Sequence, residues 1–447
     1  MRQTIRIFGY AIASVILIAL GHATNSQPLL LGGLAVMLII AILNYKKYLI
    51  PLMLFYLPFA PVLKLHADGF SFFTIALLVI IVIFSANSKF RFDSRTLLIF
   101  SALLGTASFA KLMLGLGFSL DFFVFFAMLL FIPNYLQKFH TIISFKTTAI
   151  FFALGVTAAA VLSQQLMALP SMQAYINVYE WERMDLTRLS GFYGDANYYS
   201  AQILAAISGL LIIITARVNR LAVPLMGLVL LLIYFGSLSV SKSFLIFLAI
   251  VLPLWLTAYL STSGRLRSKF LILIAIFLLV GSIVVGAVFQ EQIAMYQTRF
   301  NLSVDSDSLT TGRLEIFNGY NQYFKNNAEV LMFGQGYSQV YYAAFDNRAS
   351  HNIIIQLIYQ FGILGLILIG AWMIRMKRIV VGKRKALTLN GKALVLMITA
   401  ACLLPWIALD MLFLDDFYFI ITFYLIAMHY IFEKFSLNKS HSRDSMS

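Results

Sequence analysis

Residues 349–365, ASHNIIIQLIYQFGILG, begin as a polar loop and continue as an apolar run. His351 and Asn352 stand at the tip, and two glutamines and a tyrosine interrupt the hydrophobic residues that follow. The run extends to about residue 374, which is long enough for a helix to cross a bilayer core of about 30 Å. The stretch therefore predicts a transmembrane helix, and its polar tip needs a separate explanation.

The rest of the chain has the composition of a membrane protein. Of its 447 residues, 61% are hydrophobic and only 11% are charged, and the mean hydropathy is +0.88. Soluble domains carry about 25% charged residues. The hydrophobic residues come in blocks of about 17 to 23, the length of a membrane-crossing helix. We therefore predict an all-α polytopic membrane protein in which the helices are the fold.

About fourteen spans are predicted, and the whole chain, residues 1–447, forms one integral membrane domain. The spans cover residues 5–22, 28–44, 48–65, 70–86, 96–114, 120–136, 145–163, 197–215, 221–238, 243–260, 270–289, 352–374, 392–409 and 414–432. The first is not expected to be a cleaved signal peptide, because it lacks a clean small-residue cleavage site and another span follows at once. The single cysteine, Cys402, lies in an apolar segment, which excludes disulfides and thiolate metal clusters.

The charged residues predict how the spans are oriented. If the spans alternate in direction, most of the 33 lysines and arginines fall on one side, and most of the 18 acidic residues on the other. Cytoplasmic loops carry the excess of basic residues in membrane proteins. The basic side, with both termini, is therefore predicted to be cytoplasmic. The net charge of +15 follows from this asymmetry and does not indicate nucleic-acid binding.

Two connections, residues 164–196 and 290–351, are much longer than the others, and both fall on the outer side. Long loops on a compact bundle are more often functional than simple connections. Any chemistry is therefore predicted at the outer membrane–water boundary.

The first outer loop ends in RLSGFYGDANYYS, residues 188–200, at the start of the eighth predicted span. Asp195 is suited to cap that helix. The glycines and aromatics around it also suit stacking on sugars, with Tyr193, Asp195 and Asn197 as candidate glycan-binding residues. Both interpretations remain open from the sequence.

Lys242 ends the sequence SLSVSK, residues 237–242, at the outer mouth of a span. Ionisable groups within a membrane are candidates for function, whereas a lysine at a helix end can also extend its ammonium to the interface. The sequence does not separate these alternatives. Lys111, near the outer end of the fifth span, favours the second.

The second outer loop contains SLTTGRLEIFNGYNQYF, residues 308–324, which predicts a capped amphipathic helix with Arg313 near its start. A helix N-terminus beside an arginine is a good phosphate site. The alternative is a surface arginine paired with Glu315 or Asp307. The acidic pair Asp305 and Asp307 is not expected to bind a metal, because such pairs are common in loops.

His351 is the candidate general base. If Ser350 caps the twelfth span, His351 lies in its first turn, where the helix dipole favours the neutral imidazole that a base requires. The polar residues after Asn352 recur at spacings of four, seven and eight, which is one stripe on a helix. Such a stripe either lines a substrate groove or joins helices.

In order along the chain, these motifs resemble those of the O-antigen polymerase and O-antigen ligase superfamily of bacterial envelope enzymes. The matching segments are Arg188–Asn197, Ser239–Lys242, Thr311–Arg313, Gly334–Gly336 and His351–Gly365. The resemblance covers roughly residues 180–370. One departure is that the family usually has arginine where this chain has Lys242, which is a point charge and not a bidentate fork.

The resemblance implies a metal-independent glycosyltransferase of the multi-span C type, without a cofactor, in the bacterial inner membrane. Its donor is a glycan on undecaprenyl diphosphate at the periplasmic or extracellular face. His351 would activate the acceptor hydroxyl, and Asn352 would orient it. Arg313, Arg188 and Lys242 would hold the diphosphate. Membrane lipids surround the spans, and a chain-length regulator is a further candidate partner.

Two enzyme activities and one transport activity remain as alternatives. A polymerase transfers the growing glycan to a lipid-linked repeat unit, whereas a ligase transfers it to a lipid core or a protein. The tyrosine-rich outer loops and the number of spans favour a polymerase. A flippase is expected to place polar groups near the bilayer midplane, but here they cluster at the outer edge.

Overall fold

The computed structural model is helical almost throughout the residues that it describes. These are residues 2–66, 69–87, 94–166, 168–172, 180–181, 186–193, 195–216, 222–261, 290–301, 313–337, 349–382, 386–410 and 414–437. The helices are α1 Arg2–Ala23, α2 Gln27–Leu43, α3 Tyr45–Tyr56, α4 Phe72–Asn87, α5 Ser94–Met113, α6 Leu120–Phe139, α7 Phe145–Leu166, α8 Ala196–Ala216, α9 Ala222–Leu238, α10 Lys242–Leu260, α11 Gln290–Asn301, α12 Arg313–Asn326, α13 Ala328–Phe333, α14 Ile353–Val381, α15 Leu389–Leu403 and α16 Leu414–Lys434.

Short elements extend or connect these helices. One 3₁₀ turn, Leu57–Val62, continues α3, and another, Leu404–Ala408, continues α15. A third, Pro170–Met172, lies in the first outer loop. Two-residue strands in that loop, β1 Glu180–Trp181 and β2 Leu186–Thr187, pair antiparallel.

The described helices are those of an all-α, multi-pass membrane protein. Nine are long and apolar enough to cross a bilayer, and α2, α4 and α9 are shorter apolar helices. Helical segments lie at every predicted span except the eleventh, 270–289, which falls outside the described residues. The apolar runs therefore located the helices correctly, because an uninterrupted run of that length is stable in lipid only as a helix or in a barrel.

The helices pack around one contiguous apolar core, and α8 and α16 are the most enclosed of the long ones. Since lipid is as apolar as a leucine side chain, polar contacts and close packing hold such helices together. Buried tyrosine and tryptophan side chains supply these contacts. The Tyr418 hydroxyl donates to Phe125 O at 2.7 Å, and Trp372 Nε1 donates to Leu129 O at 3.0 Å.

The predicted amphipathic helix of the second outer loop is α12, which begins at Arg313. Its buried residues, Ile316, Tyr320 and Phe324, recur every four positions and so lie on one face. This face packs against Tyr359 of α14 and forms a small second core. The loop helix is therefore docked onto the membrane helix that follows the His351–Asn352 pair.

Candidate functional site

The start of α14 differs from the prediction in one residue that matters for the site. Asn352, not Ser350, caps the helix, since its Oδ1 accepts from Ile354 N at 2.9 Å and from Ile355 N at 3.2 Å. Asn352 Nδ2 also donates to Ile407 O at 3.0 Å. The side chain predicted to orient an acceptor is thus engaged in holding the helix end.

Asp410, in the connection between α15 and α16, explains the shift of the cap. Its carboxylate accepts hydrogen bonds from the Ser350 hydroxyl, from His351 N at 2.8 Å and from Asn352 N at 3.1 Å. The Ser350 hydroxyl donates to Asp410, and the free N–H groups of the first helical turn are accepted by Asn352 Oδ1 instead. His351 therefore precedes the cap and lies outside the first turn, and the geometry assumed for the dipole argument is wrong.

His351 is held in an unusual backbone conformation. Its φ is +48°, in the left-handed region that residues other than glycine rarely adopt. The hydrogen bonds to the buried Asp410 maintain this conformation, and strain of this kind is characteristic of functional sites. The His351 side chain remains 36% exposed, while that of Asp410 is 1% exposed, and His351 Nδ1 lies 4.0 Å from Asp410 Oδ2. An accessible imidazole is thus backed by a buried carboxylate.

Arg313 joins this pair from the second outer loop. It is half-buried at the first position of α12. Burial lowers the pKa of its guanidinium, and the nearby carboxylates of Asp195 and Asp410 oppose that shift. Arg313 therefore lies within electrostatic reach of both acidic residues, although Asp195 precedes it by more than 100 positions in the chain. Asp307, one of its predicted partners, lies outside the described residues, as does Asp305.

Asp195 has the capping role that its sequence position predicts. Its Oδ1 accepts from Asn197 N at 2.6 Å, one residue inside the start of α8. The same carboxylate is near Arg313. Asp195 thus combines a structural bond with a place in the cluster of His351, Asp410 and Arg313.

Arg188 and Asn197 bind the first outer loop to the turn between α9 and α10. Arg188 Nε donates to Ser239 O at 2.9 Å, and one terminal nitrogen of the same guanidinium donates to Asn197 Oδ1 at 3.4 Å. The Ser241 hydroxyl donates to the same Asn197 oxygen at 2.8 Å. Ser241 also caps α10, whose first residue is the half-buried Lys242. The serine-rich motif therefore joins the start of α10 to Arg188 and Asn197 through Ser239 and Ser241.

Two tyrosines extend the site from the start of α8. The Tyr198 hydroxyl donates to Asp410 O at 2.7 Å, so α8 is tied to the residue that positions His351. The Tyr193 hydroxyl donates to Leu57 O at 3.0 Å, which fixes the predicted glycan-binding ring against the 3₁₀ turn after α3.

The two glycine motifs allow the second outer loop to touch the backbone of α14. Gly334 and Gly362 both have positive φ, at +75° and +68°. A Cβ on Gly334 would collide with the backbone of Gln360, and one on Gly362 with that of Met332. The chain after α13 therefore packs directly into a non-helical kink of α14 at Gly362.

The polar stripe of α14 faces protein. Gln356, Tyr359 and Gln360 are all buried. The Tyr359 ring meets that of Tyr320 edge to face at 5.8 Å and lies 5.9 Å from that of Tyr323. Of the two interpretations of the stripe, the structure supports the joining of helices.

The contacts therefore join His351, Asn352, Asp195 and Arg313 around Asp410, and they join Arg188 to Asn197 at the start of α8. Sequence reasoning missed Asp410, and the available signal was a carboxylate within the apolar residues 403–414. Such an arrangement can transfer a proton at the accessible imidazole and bind an anion at the guanidinium.

Comparisons with family models, with curated proteins and with solved structures give no match for this chain.

Proposed function

We propose that the protein is a glycan polymerase of the bacterial inner membrane. It transfers a growing glycan from undecaprenyl diphosphate to a lipid-linked repeat unit on the outer face. Both termini are cytoplasmic, and about fourteen spans form an apolar environment for the two polyprenyl chains. The product is an O-antigen, a capsule or an exopolysaccharide.

The observation that carries this proposal is the convergence of His351, Asp410, Arg313 and Asp195 at one end of the helix bundle. The four residues belong to separate parts of the chain, joined by the contacts described above. All lie at helix ends that the charge asymmetry predicts to be outside. A lipid-linked sugar presented at that surface would have its diphosphate at the depth of these side chains.

The reaction requires one proton transfer and one displacement. The acceptor hydroxyl oxygen attacks the anomeric carbon of the donor glycan, and its proton moves to the imidazole of His351. The bond between that carbon and the phosphate oxygen breaks, and undecaprenyl diphosphate leaves with the bonding electrons. No further energy source is needed, because the sugar–diphosphate bond already supplies it.

The residues have distinct roles in this scheme. His351 is the base, because Asp410 is buried and its oxygens already accept three hydrogen bonds. Asp410 orients the His351 backbone and stabilises the imidazolium that forms, as a carboxylate does in catalytic triads. Arg313 stabilises the charge that develops on the leaving diphosphate. Arg188, which binds the α9–α10 turn from the first outer loop, and Lys242, at the start of α10, add positive charge for the same diphosphate.

The proposal is tested with purified protein and the host's lipid-linked repeat unit. Wild-type protein is expected to form longer lipid-linked glycans, and His351→Ala is expected to lose this activity because the exposed imidazole beside Asp410 is the proposed base. His140→Ala is the matched control, since His140 lies at the predicted cytoplasmic end of α6. Full activity of the His351→Ala protein would contradict the assignment of the base.

A deletion strain separates the polymerase from the ligase. Single repeat units left on the carrier or on the lipid core identify a polymerase, whereas long glycan stranded on the carrier identifies a ligase. Purified protein that lengthens no glycan but moves it between leaflets would identify a flippase.

A further inference from the structure

A cavity of about 400 Å³ lies beside the proposed active site. Its walls come from the 3₁₀ turn after α3 and from the starts of α4, α6, α8 and α16. These helix ends all belong to the predicted outer face. Its volume is typical of small-ligand sites, which range from about 300 to 1,000 Å³. The polar side chains that line it include Lys64, Asp121, Tyr193, Asp195, Tyr198 and Asp416.

Asp416 provides a buried acceptor for a ligand in this cavity. The residue is 1% exposed, and its Oδ1 accepts from Gln202 Nε2 at 2.9 Å. Its Oδ2 is buried and has no hydrogen-bond partner among the described residues. The Tyr193 hydroxyl, which donates to Leu57 O at 3.0 Å, is also a hydrogen-bond partner of this carboxylate, so Oδ2 alone lacks a described donor. A buried acceptor without a donor is costly, and a ligand hydroxyl would satisfy it.

The charge of the lining selects the kind of ligand. Three carboxylates and one lysine give the cavity an excess of negative charge, which repels a diphosphate. The described acidic residues do not form a cluster of three metal-binding side chains. Carboxylates accept hydrogen bonds from hydroxyl and ammonium groups, and tyrosine rings offer flat apolar faces beside them. This combination suits uncharged or amino sugars.

The cavity is directly connected to the residues around His351. Tyr198 lines it and donates to Asp410 O at 2.7 Å. Asp195 also lines it and lies near Arg313. The start of α8 thus contributes both to the cavity wall and to the contacts of Asp410, the residue that binds the backbone of the proposed base.

We propose that this cavity binds the acceptor sugar and selects neutral or amino sugars over acidic ones. The inference rests on the proposed function, because it assigns one substrate of that reaction to a separate subsite. The donor diphosphate binds at Arg313, and the acceptor sugar presents its hydroxyl to His351 from the cavity.

The test measures binding of the oligosaccharide repeat unit that mild acid releases from the host's own lipid carrier. Full-length protein in nanodiscs is titrated with this probe and, separately, with inorganic diphosphate. Asp416→Asn and Asp121→Asn are expected to weaken oligosaccharide binding about tenfold or more, since a hydrogen bond to a charged group is lost. They should leave diphosphate binding within twofold. Glu329→Gln, an exposed acidic residue of α13, is the matched control.

A second variant distinguishes a loss of binding from a folding defect caused by the loss of a buried carboxylate. Thr74→Trp fills the cavity from the half-buried face of α4 and keeps every acidic residue. It is expected to block the oligosaccharide and to spare diphosphate binding. Wild-type affinity in both Asp416→Asn and Thr74→Trp would overturn the proposal, as would wild-type protein that does not bind the oligosaccharide or binds it only with added Ca²⁺.

The outcomes separate this inference from the proposed function. If the cavity variants extend glycan with an unchanged KM for the repeat unit, the subsite is wrong and the polymerase stands. If the oligosaccharide binds in the cavity but His351→Ala does not alter product formation, the subsite stands and the assigned chemistry fails.

Discussion

At the scale of single residues, Asp410 organises the site. Its carboxylate receives three hydrogen bonds from three consecutive residues, and its carbonyl receives one from Tyr198. A buried carboxylate is stable only when its oxygens are satisfied in this way. These bonds set the left-handed backbone of His351 and leave its imidazole exposed. Asp410 is therefore a positioning residue for the proposed base.

Asp410→Asn tests this role. The amide places an NH₂ group where the backbone N–H groups of His351 and Asn352 need an acceptor, so the imidazole loses its alignment and its negative neighbour. We expect kcat for glycan extension to fall about 100-fold or more, by analogy with triad carboxylates, while KM changes little.

Ser350→Ala is the comparison, because it removes only one of the three donors and keeps the carboxylate. A loss of a few-fold is expected for it. Both activities are measured with the purified protein and lipid-linked repeat units. An Asp410→Asn enzyme with wild-type kcat would contradict the positioning role.

At the scale of the elements, the contact of α13 with α14 fixes the second outer loop. Gly334 and Gly362 let two backbones meet where any side chain would collide, and Gln335 N donates to Tyr359 O at 2.9 Å across the junction. Because α12 belongs to the same loop and immediately precedes α13, this junction also influences where Arg313 lies. The glycines thus influence a residue that they do not touch.

Gly362→Ala is expected to destabilise the protein and to displace the loop. Gly362 has φ 68° and ψ −179°, a region that is essentially restricted to glycine and costs another residue about 1–3 kcal/mol, and the collision with the Met332 backbone adds to that. Thermal unfolding in detergent should show a lower midpoint, with reduced glycan extension. Gly370→Ala on the same helix has open space around it and should be neutral or stabilising by about 0.5–1 kcal/mol. Equal midpoints for the two variants would contradict this account.

At the scale of the whole molecule, the bundle has two kinds of surface, an apolar one along the long helices and a polar one at one end. The exposed apolar residues of the long helices suit lipid, whereas the site is built from polar residues at one end. The charge asymmetry of the sequence predicts that this end faces outwards. Such an arrangement suits chemistry on a lipid-anchored substrate at one face of a membrane.

Cysteine labelling tests this orientation. The single Cys402 is buried, so Cys402→Ala gives a background without thiols. On that background, Lys325→Cys in α12 is expected to react with a membrane-impermeant maleimide applied to intact spheroplasts. Lys47→Cys in α3 should react only after lysis. The reverse pattern would overturn the predicted topology and place the site in the cytoplasm.

The sequence alone was enough to locate the membrane helices and the loop helix that begins at Arg313, because both depend on local properties. An apolar run long enough to cross a bilayer, or an apolar residue at every fourth position, can be recognised without knowing its neighbours. The same holds for Asp195 as a helix cap, whose partner lies two residues away.

The tertiary structure alone decided the contacts between distant parts of the chain. Asp410 binds the residues around His351 across about 60 positions, which moved the helix cap from Ser350 to Asn352. Packing also placed Tyr359 of the polar stripe against the loop helix and formed the acidic cavity beside Asp416. Local propensity does not encode such pairings, because they depend on which helix faces which once the bundle has packed.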